Sequence, residues 1–229
     1  MERVTTIAGK EPILFIAPHG YDDKNTAIIA EAAALALHGY AVINHGWERD
    51  NVVDEAASKA NCNNIGHCCE DVVCEEFLEP IEDYYRRVVG KWGHMDVYII
   101  HGCGNDARLK TSPTLTAIIG FGEGPKPSYS CDKDLRDSLT YIVNSDKIWE
   151  FWQAGPSSRF SGWGRDNLNQ LWRKHSPNEA VNSMQIEFVS ATRNTEADAE
   201  VTGKQLARYI DQANNTAMLV PSSWKPKVC

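Results

Sequence analysis

Between residues 13 and 44 two strand-length apolar runs, Ile13-Leu14-Phe15-Ile16-Ala17 and Tyr40-Ala41-Val42-Ile43-Asn44, flank a stretch rich in alanine and leucine. An unbroken apolar run of this length suits a strand covered on both faces, as in a parallel sheet. The stretch from Lys24 to His38 has the composition of a helix, with Asn25 or Thr26 as its N-cap and Gly39 as its stop. Strand, helix and strand in that order form a β-α-β unit. Its two strands lie parallel and its crossover is right-handed. This unit commits the chain to an α/β architecture.

The rest of the sequence continues the pattern. Glu70 to Trp92 reads as a long amphipathic helix, interrupted or bent at Pro80. Asp96-Val97-Tyr98-Ile99-Ile100 is a third apolar run, and Thr114 to Ile119 is a further candidate strand. Gly120-Phe121-Gly122-Glu123-Gly124-Pro125-Lys126-Pro127 resembles a dinucleotide fingerprint poorly, since proline stands where a helix should open; a mobile loop or lid is the better account. Asp132 to Gln153 reads as helix in two pieces around Asn144-Ser145-Asp146, and Asp166 to His175 as a short helix. Ser183 to Val189 reads as a late strand and Glu196 to Gln212 as a closing helix, followed by a surface tail from Asn214. Without an internal repeat or a linker, residues 1–229 are expected to form a single α/β domain.

Composition narrows the function classes. With 42% hydrophobic and 24% charged residues, the 229-residue chain has the balance of a globular protein with a sizeable core. The net charge of −8 argues against nucleic acid or an anionic membrane as partner, because both need clustered Lys and Arg. No apolar run approaches the roughly 20 residues of a membrane span, and Met1 to Thr6 lacks the apolar core of a signal peptide. A cytoplasmic location is expected. Among seven cysteines, Cys62, Cys68, Cys69 and Cys74 lie close together around His67. Their spacing matches neither paired zinc motifs nor the usual cluster-binding runs, so they read as reduced thiols.

The chemistry is expected at the strand ends. Three apolar runs end in His-Gly: His19-Gly20, His45-Gly46 and His101-Gly102. Parallel strands point the same way, so these histidines should gather at one edge of the sheet, where open α/β sheets bind ligands. Each glycine should let the backbone turn away sharply. A catalytic zinc needs three protein ligands and an open fourth position. His19, Asp22 and His101 would supply two imidazoles and a carboxylate, with Asp23 an equal candidate for the carboxylate. His45 fits a structural or supporting role, and His38 a helix end. Glu187 stands inside the apolar run Met184-Gln185-Ile186-Glu187-Phe188-Val189. It is either a solvent-facing strand residue, with Gln185 on the same face, or a general base that moves a proton from water to a leaving amine. Arg49 and Arg193 are candidates for holding a substrate carboxylate or a developing oxyanion, which a guanidinium binds bidentately.

These residues resemble a known family. Ile16-Ala17-Pro18-His19-Gly20 is similar to the opening Pro-His-x-Gly motif of the N-formylglutamate amidohydrolases. Met184-Gln185-Ile186-Glu187-Phe188 through Arg193 resembles that family's late strand and following arginine, and Val97 to Gly102 resembles its central Asp-x-His segment. The motifs occur in the family's order and span residues 13 to 210. The resemblance implies a three-layer sandwich, its mostly parallel mixed sheet flanked by helices, related to zinc carboxypeptidases, aspartoacylase and phage poly-γ-glutamate hydrolase. It implies a zinc-dependent hydrolase with His19, Asp22 (or Asp23) and His101 as ligands and Glu187 as the catalytic acid–base. The substrate it implies is a small N-acylated acidic amino acid or a γ-glutamyl amide. The family's Asp-x-Asn-Arg segment has its counterpart in Asn61-Cys62-Asn63-Asn64, which lacks the arginine.

Two rival readings stand beside this one. A cysteine-dependent hydrolase would use Cys103 or another thiol beside a histidine. A non-catalytic binding protein would keep the fold without the chemistry, consistent with the missing arginine.

Overall fold

The computed structural model describes residues 2–48, 60–69, 71–104, 115–124, 128–153, 160–172 and 180–217. Seven strands form one sheet: β1 (Val4–Ile7), β2 (Ile13–Ala17), β3 (Tyr40–Asn44), β4 (Met95–Cys103), β5 (Leu115–Gly120), β6 (Glu150–Gln153) and β7 (Val181–Val189). Their order across the sheet is β1-β3-β2-β4-β7-β5-β6. The four central strands β3, β2, β4 and β7 are mutually parallel. β1 runs antiparallel on one edge; β5 runs antiparallel to β7 and carries β6 parallel on the other. The sheet is therefore mixed and largely parallel, as expected.

Helices cover both faces. On one face α1 (Thr26–Leu37), α3 (Lys133–Ser145) and α4 (Glu196–Ala217) pack over Phe15, Ile43, Tyr98, Ile100, Ile186 and Phe188. On the other, α2 (Glu79–Trp92) and the turns around Ile65 and Leu168 cover Leu14, Ile16, Val42, Val97 and Ile99. Every residue of β2 and of β3 is buried, which is why neither alternates polar with apolar residues. α1 and α4 approach closely at Gly203, where a Cβ would come within 2.5 Å of the Ile29 carbonyl oxygen.

The structure departs from the sequence reading in several places. β1 was not expected at all. The Pro80 helix is not broken: a π turn over Cys74–Leu78 widens the backbone just ahead of the proline, which has no N–H to return to Glu76. Helix α3 stops at Ser145, where the left-handed Lys147 (φ 56°) turns the chain away, and the expected second helical piece is strand β6. Its Phe151-Trp152 pair beside β5 suits an edge strand. The proposed lid also sits elsewhere. Because β5 is antiparallel to β7, the chain after Gly120 runs away from the carboxyl ends of the parallel strands. Phe121, Gly122 and Gly124 are buried, and Ser128 and Ser130 bond back to Gly122 and Phe121; residues 125–127 lie outside the described residues. Residues 121–124 and 128–130 are strapped to the sheet as packed structure. Of the expected 166–175 helix, residues 166–172 lie among the described residues: Asp166 and Asn167 form a turn and an isolated bridge, and 168–172 a short 3-10 and helical turn. No helix among the described residues is long and apolar enough to cross a membrane.

Candidate metal centre

The carboxyl ends of β2, β4 and β7 lie side by side, and each delivers one chemically distinctive residue. β2 and β4 pair Ile16 with Ile99, so the turn after Ala17 rises beside His101. β4 and β7 pair His101 directly with Glu187, about 4.8 Å apart at the strand spacing. His19 and His101 meet with ring centroids 4.9 Å apart and planes at 62°. His45 is exposed and lies outside this group, so the third His-Gly pair does not join the other two.

Local backbone geometry selects the carboxylate. After β2 the chain closes one helical turn, with the Asp23 amide donating to the His19 carbonyl at 2.7 Å. That i to i+4 bond brings the side chains of 19 and 23 together, and Asp23 is buried while Asp22 is only half-buried. Gly20 is needed for a close approach: a Cβ there would lie 2.4 Å from the Asn44 carbonyl oxygen. It makes that approach without a positive φ, which Gly46 and Gly102 also lack. Of the two aspartates left open by the sequence, Asp23 stands in the cluster with His19 and His101.

His19, Asp23 and His101 are all buried, and one ligand atom from each lies within 4.8 Å of the others. Asp23 Oδ2 is 3.5 Å from His19 Nδ1 and 3.8 Å from His101 Nδ1. Both are too long for good hydrogen bonds. They are close to the roughly 3.3–3.4 Å that separates two donors each bound to zinc in a tetrahedron. The other ring nitrogen of His19, Nε2, lies 2.8 Å from Asn61 Oδ1. An amide oxygen only accepts, so in the neutral ring Nε2 carries the proton and Nδ1 turns a lone pair toward Asp23. His19 Nδ1 is buried and has no hydrogen-bond partner. A lone pair facing a carboxylate oxygen across 3.5 Å is repulsive until a cation sits between them, so these residues fit a metal ion. Asp23 Oδ2 also accepts from the Gly102 amide at 3.1 Å. The Asp23 carboxylate is thus fixed in place.

Asn61 was not singled out in the sequence. It lies in the segment matched to the family's Asp-x-Asn-Arg, and its Oδ1 also accepts from the Asn63 amide at 3.1 Å. The segment is held by Leu168 N donating to Asn63 O and by Ile65 N donating to Asp166 O. Partners of this kind fix the tautomer of a metal-binding histidine. Asn61→Leu is expected to weaken zinc binding by about tenfold to a hundredfold, read by titrating metal-free protein against a competing chelator. An unchanged affinity would show that His19 needs no such partner.

Glu187 is buried with 8% exposure, alongside Ser183 and Gln185 on the same face of β7. The face is polar yet not open to solvent. Gln185 Nε2 donates to Phe160 O at 2.8 Å and lies 3.5 Å from Glu187 Oε1; Asn167 Nδ2 donates to Gln185 Oε1 at 3.2 Å. Below it Asn169 links Ser183 and Ser130. These amides and hydroxyls explain how a run read as apolar tolerates Gln and Glu: the segments 128–130 and 160–170 satisfy them. Arg193 is buried as well, with its guanidinium turned to main-chain carbonyls, while Arg49 lies outside the described residues.

Cys103 ends β4 on the face shared by His101. Burial, with the Glu187 carboxylate nearby, pushes its thiol up to about 12. A neutral, buried thiol is a poor nucleophile. Iodoacetamide at pH 7.5 is therefore expected to spare Cys103 while labelling the exposed Cys69, with labelling of Cys103 accelerating only as pH rises. Rapid modification of Cys103 at neutral pH, with loss of any hydrolytic activity, would bring the thiol mechanism back. Cys62 and Cys68 are free thiols filling the core.

Comparison with known proteins agrees with this architecture. The gene product Atu2144 of Agrobacterium tumefaciens superposes with a TM-score of 0.62 at 12% identity, over 95% of this chain and 97% of that one. The bacteriophage poly-gamma-glutamate hydrolase gives 0.54 at 14% identity, over 94% and 90%. The N-formylglutamate amidohydrolase of Ralstonia eutropha gives 0.51 at 12% identity, over 93% and 99%. The chain shares the fold of these three solved structures. At this identity the likeness is one of fold. No family model matches the sequence, and no curated protein matches it.

Proposed function

We propose that this protein is a zinc-dependent amidohydrolase acting on an amide bond next to a carboxylate-bearing group. The observation that carries the reading is the buried His19 Nδ1, without a hydrogen-bond partner, facing the Asp23 carboxyl group beside His101. His19, Asp23 and His101 would hold the ion, leaving the fourth position of a tetrahedral site open. Zinc bound there acidifies a water molecule and polarises a carbonyl oxygen. Glu187, in register with His101, accepts the proton of the attacking water and returns it to the departing nitrogen. The polar brace through Gln185 and Asn167 keeps that strand end fixed during the transfer. An N-acylated acidic amino acid or a γ-glutamyl amide is the favoured substrate, because two proteins of the same fold carry N-formylglutamate and poly-gamma-glutamate in their names. A cytoplasmic location and a small-molecule partner go with that chemistry.

The test is direct. Protein purified without chelator is expected to hold about one equivalent of zinc, and to release formate and glutamate from N-formyl-L-glutamate, or new free amino groups and carboxylates from γ-linked glutamate oligomers. Absence of bound metal, together with no affinity for added zinc, would sink the reading in favour of a non-catalytic protein of the same fold.

A further inference from the structure

We propose that Arg193 is a positioning residue of the metal centre, a three-way clamp that fixes the relative placement of the segments bearing Asp23, His101 and Glu187. The proposal rests on reading His19, Asp23 and His101 as metal ligands. Each guanidinium nitrogen donates to a different main-chain carbonyl. Nη1 reaches Lys24 O at 2.7 Å, Nη2 reaches Cys103 O at 3.1 Å, and Nε reaches Phe188 O at 3.1 Å. Lys24 follows Asp23 in the chain, Cys103 lies two residues after His101, and Phe188 follows Glu187. One planar group therefore ties the loop after β2 to the ends of β4 and β7.

Two further contacts show the clamp to be built into the site. The guanidinium lies where a side chain at 102 would be: a Cβ on Gly102 would come within 2.4 Å of Arg193 Cζ. The amide of the same Gly102 donates to Asp23 Oδ2 at 3.1 Å. On the loop side, Asn25 takes a left-handed conformation (φ 64°) and donates its amide to Arg193 O at 2.9 Å instead of capping α1. The residue that the sequence offers as a substrate anchor is 7% exposed. Its donors in these three directions are committed to the backbone. A lysine keeps the charge but has no planar fork to span three carbonyls.

The experiment measures zinc affinity of the metal-free protein by chelator competition, with circular dichroism and melting temperature in parallel. Arg193→Lys and Gly102→Ala are the variants; the second leaves every polar group in place and fills the guanidinium's seat. Both are expected to fold and to bind zinc about tenfold to a hundredfold more weakly than the wild type, the size of effect that supporting residues have on metal sites. Wild-type affinity in either folded variant would overturn the proposal. So would an Arg193→Lys protein that keeps its zinc affinity but shows a raised KM, since Arg193 would then act as a charge for substrate. Loss of the fold in both variants without recovery on adding zinc would make the contact purely structural and overturn it too. Failure of the wild type itself to bind zinc is a separate result, which removes the functional reading rather than the clamp alone.

Discussion

Glutamine in place of Glu187 is expected to lower kcat by about a hundredfold to ten-thousandfold, the range that general acid–base groups contribute, while zinc content stays at the wild-type level. The amide has the carboxylate's shape and can keep the contact with Gln185, so packing on β7 is little disturbed. It cannot accept a proton from water. Glu187 is in register with His101 but is not part of the His19–Asp23–His101 group, which is why chemistry and metal retention should separate in this variant. Steady-state kinetics and elemental analysis on the same preparation check it. A variant that loses its metal would move Glu187 into the ligand set, and one that keeps full activity would remove it from the reaction.

Asp23→Ala and Asp22→Ala form the second decisive pair. Asp23→Ala is expected to lose zinc by more than the tenfold to hundredfold typical of a supporting residue. It removes the oxygen lying between the two imidazoles and leaves their nitrogens without the anionic ligand. Asp22→Ala should bind zinc close to wild type, since Asp22 stands outside the cluster. Chelator competition on both variants reads the difference. The reverse result would mean that the turn after β2 rearranges when the ion arrives, bringing Asp22 in.

Much of the architecture was legible because burial leaves a direct trace in composition. β2 and β3 have all five residues buried, and an all-apolar run records that condition without reference to any partner. The same holds for the alanine-rich α1 between them. Edge strands leave a fainter trace. β1 and β6 exist because β3 and β5 offer them a hydrogen-bonding edge, and their own four residues hold no comparable signal.

The sequence by itself determined that His19 and His101 would arrive at one end of a parallel sheet, because strand direction follows from the β-α-β connection and apolar runs mark where strands stop. Only the tertiary structure set Asp23 rather than Asp22 beside His19 and His101, through the hydrogen bond from the Asp23 amide to the His19 carbonyl. It also brought Asn61 to His19 across 42 positions of chain and turned Arg193 onto three carbonyls. The reason is physical. Burial and strand direction are properties of a short segment, whereas which nitrogen meets which oxygen is settled by how distant segments pack.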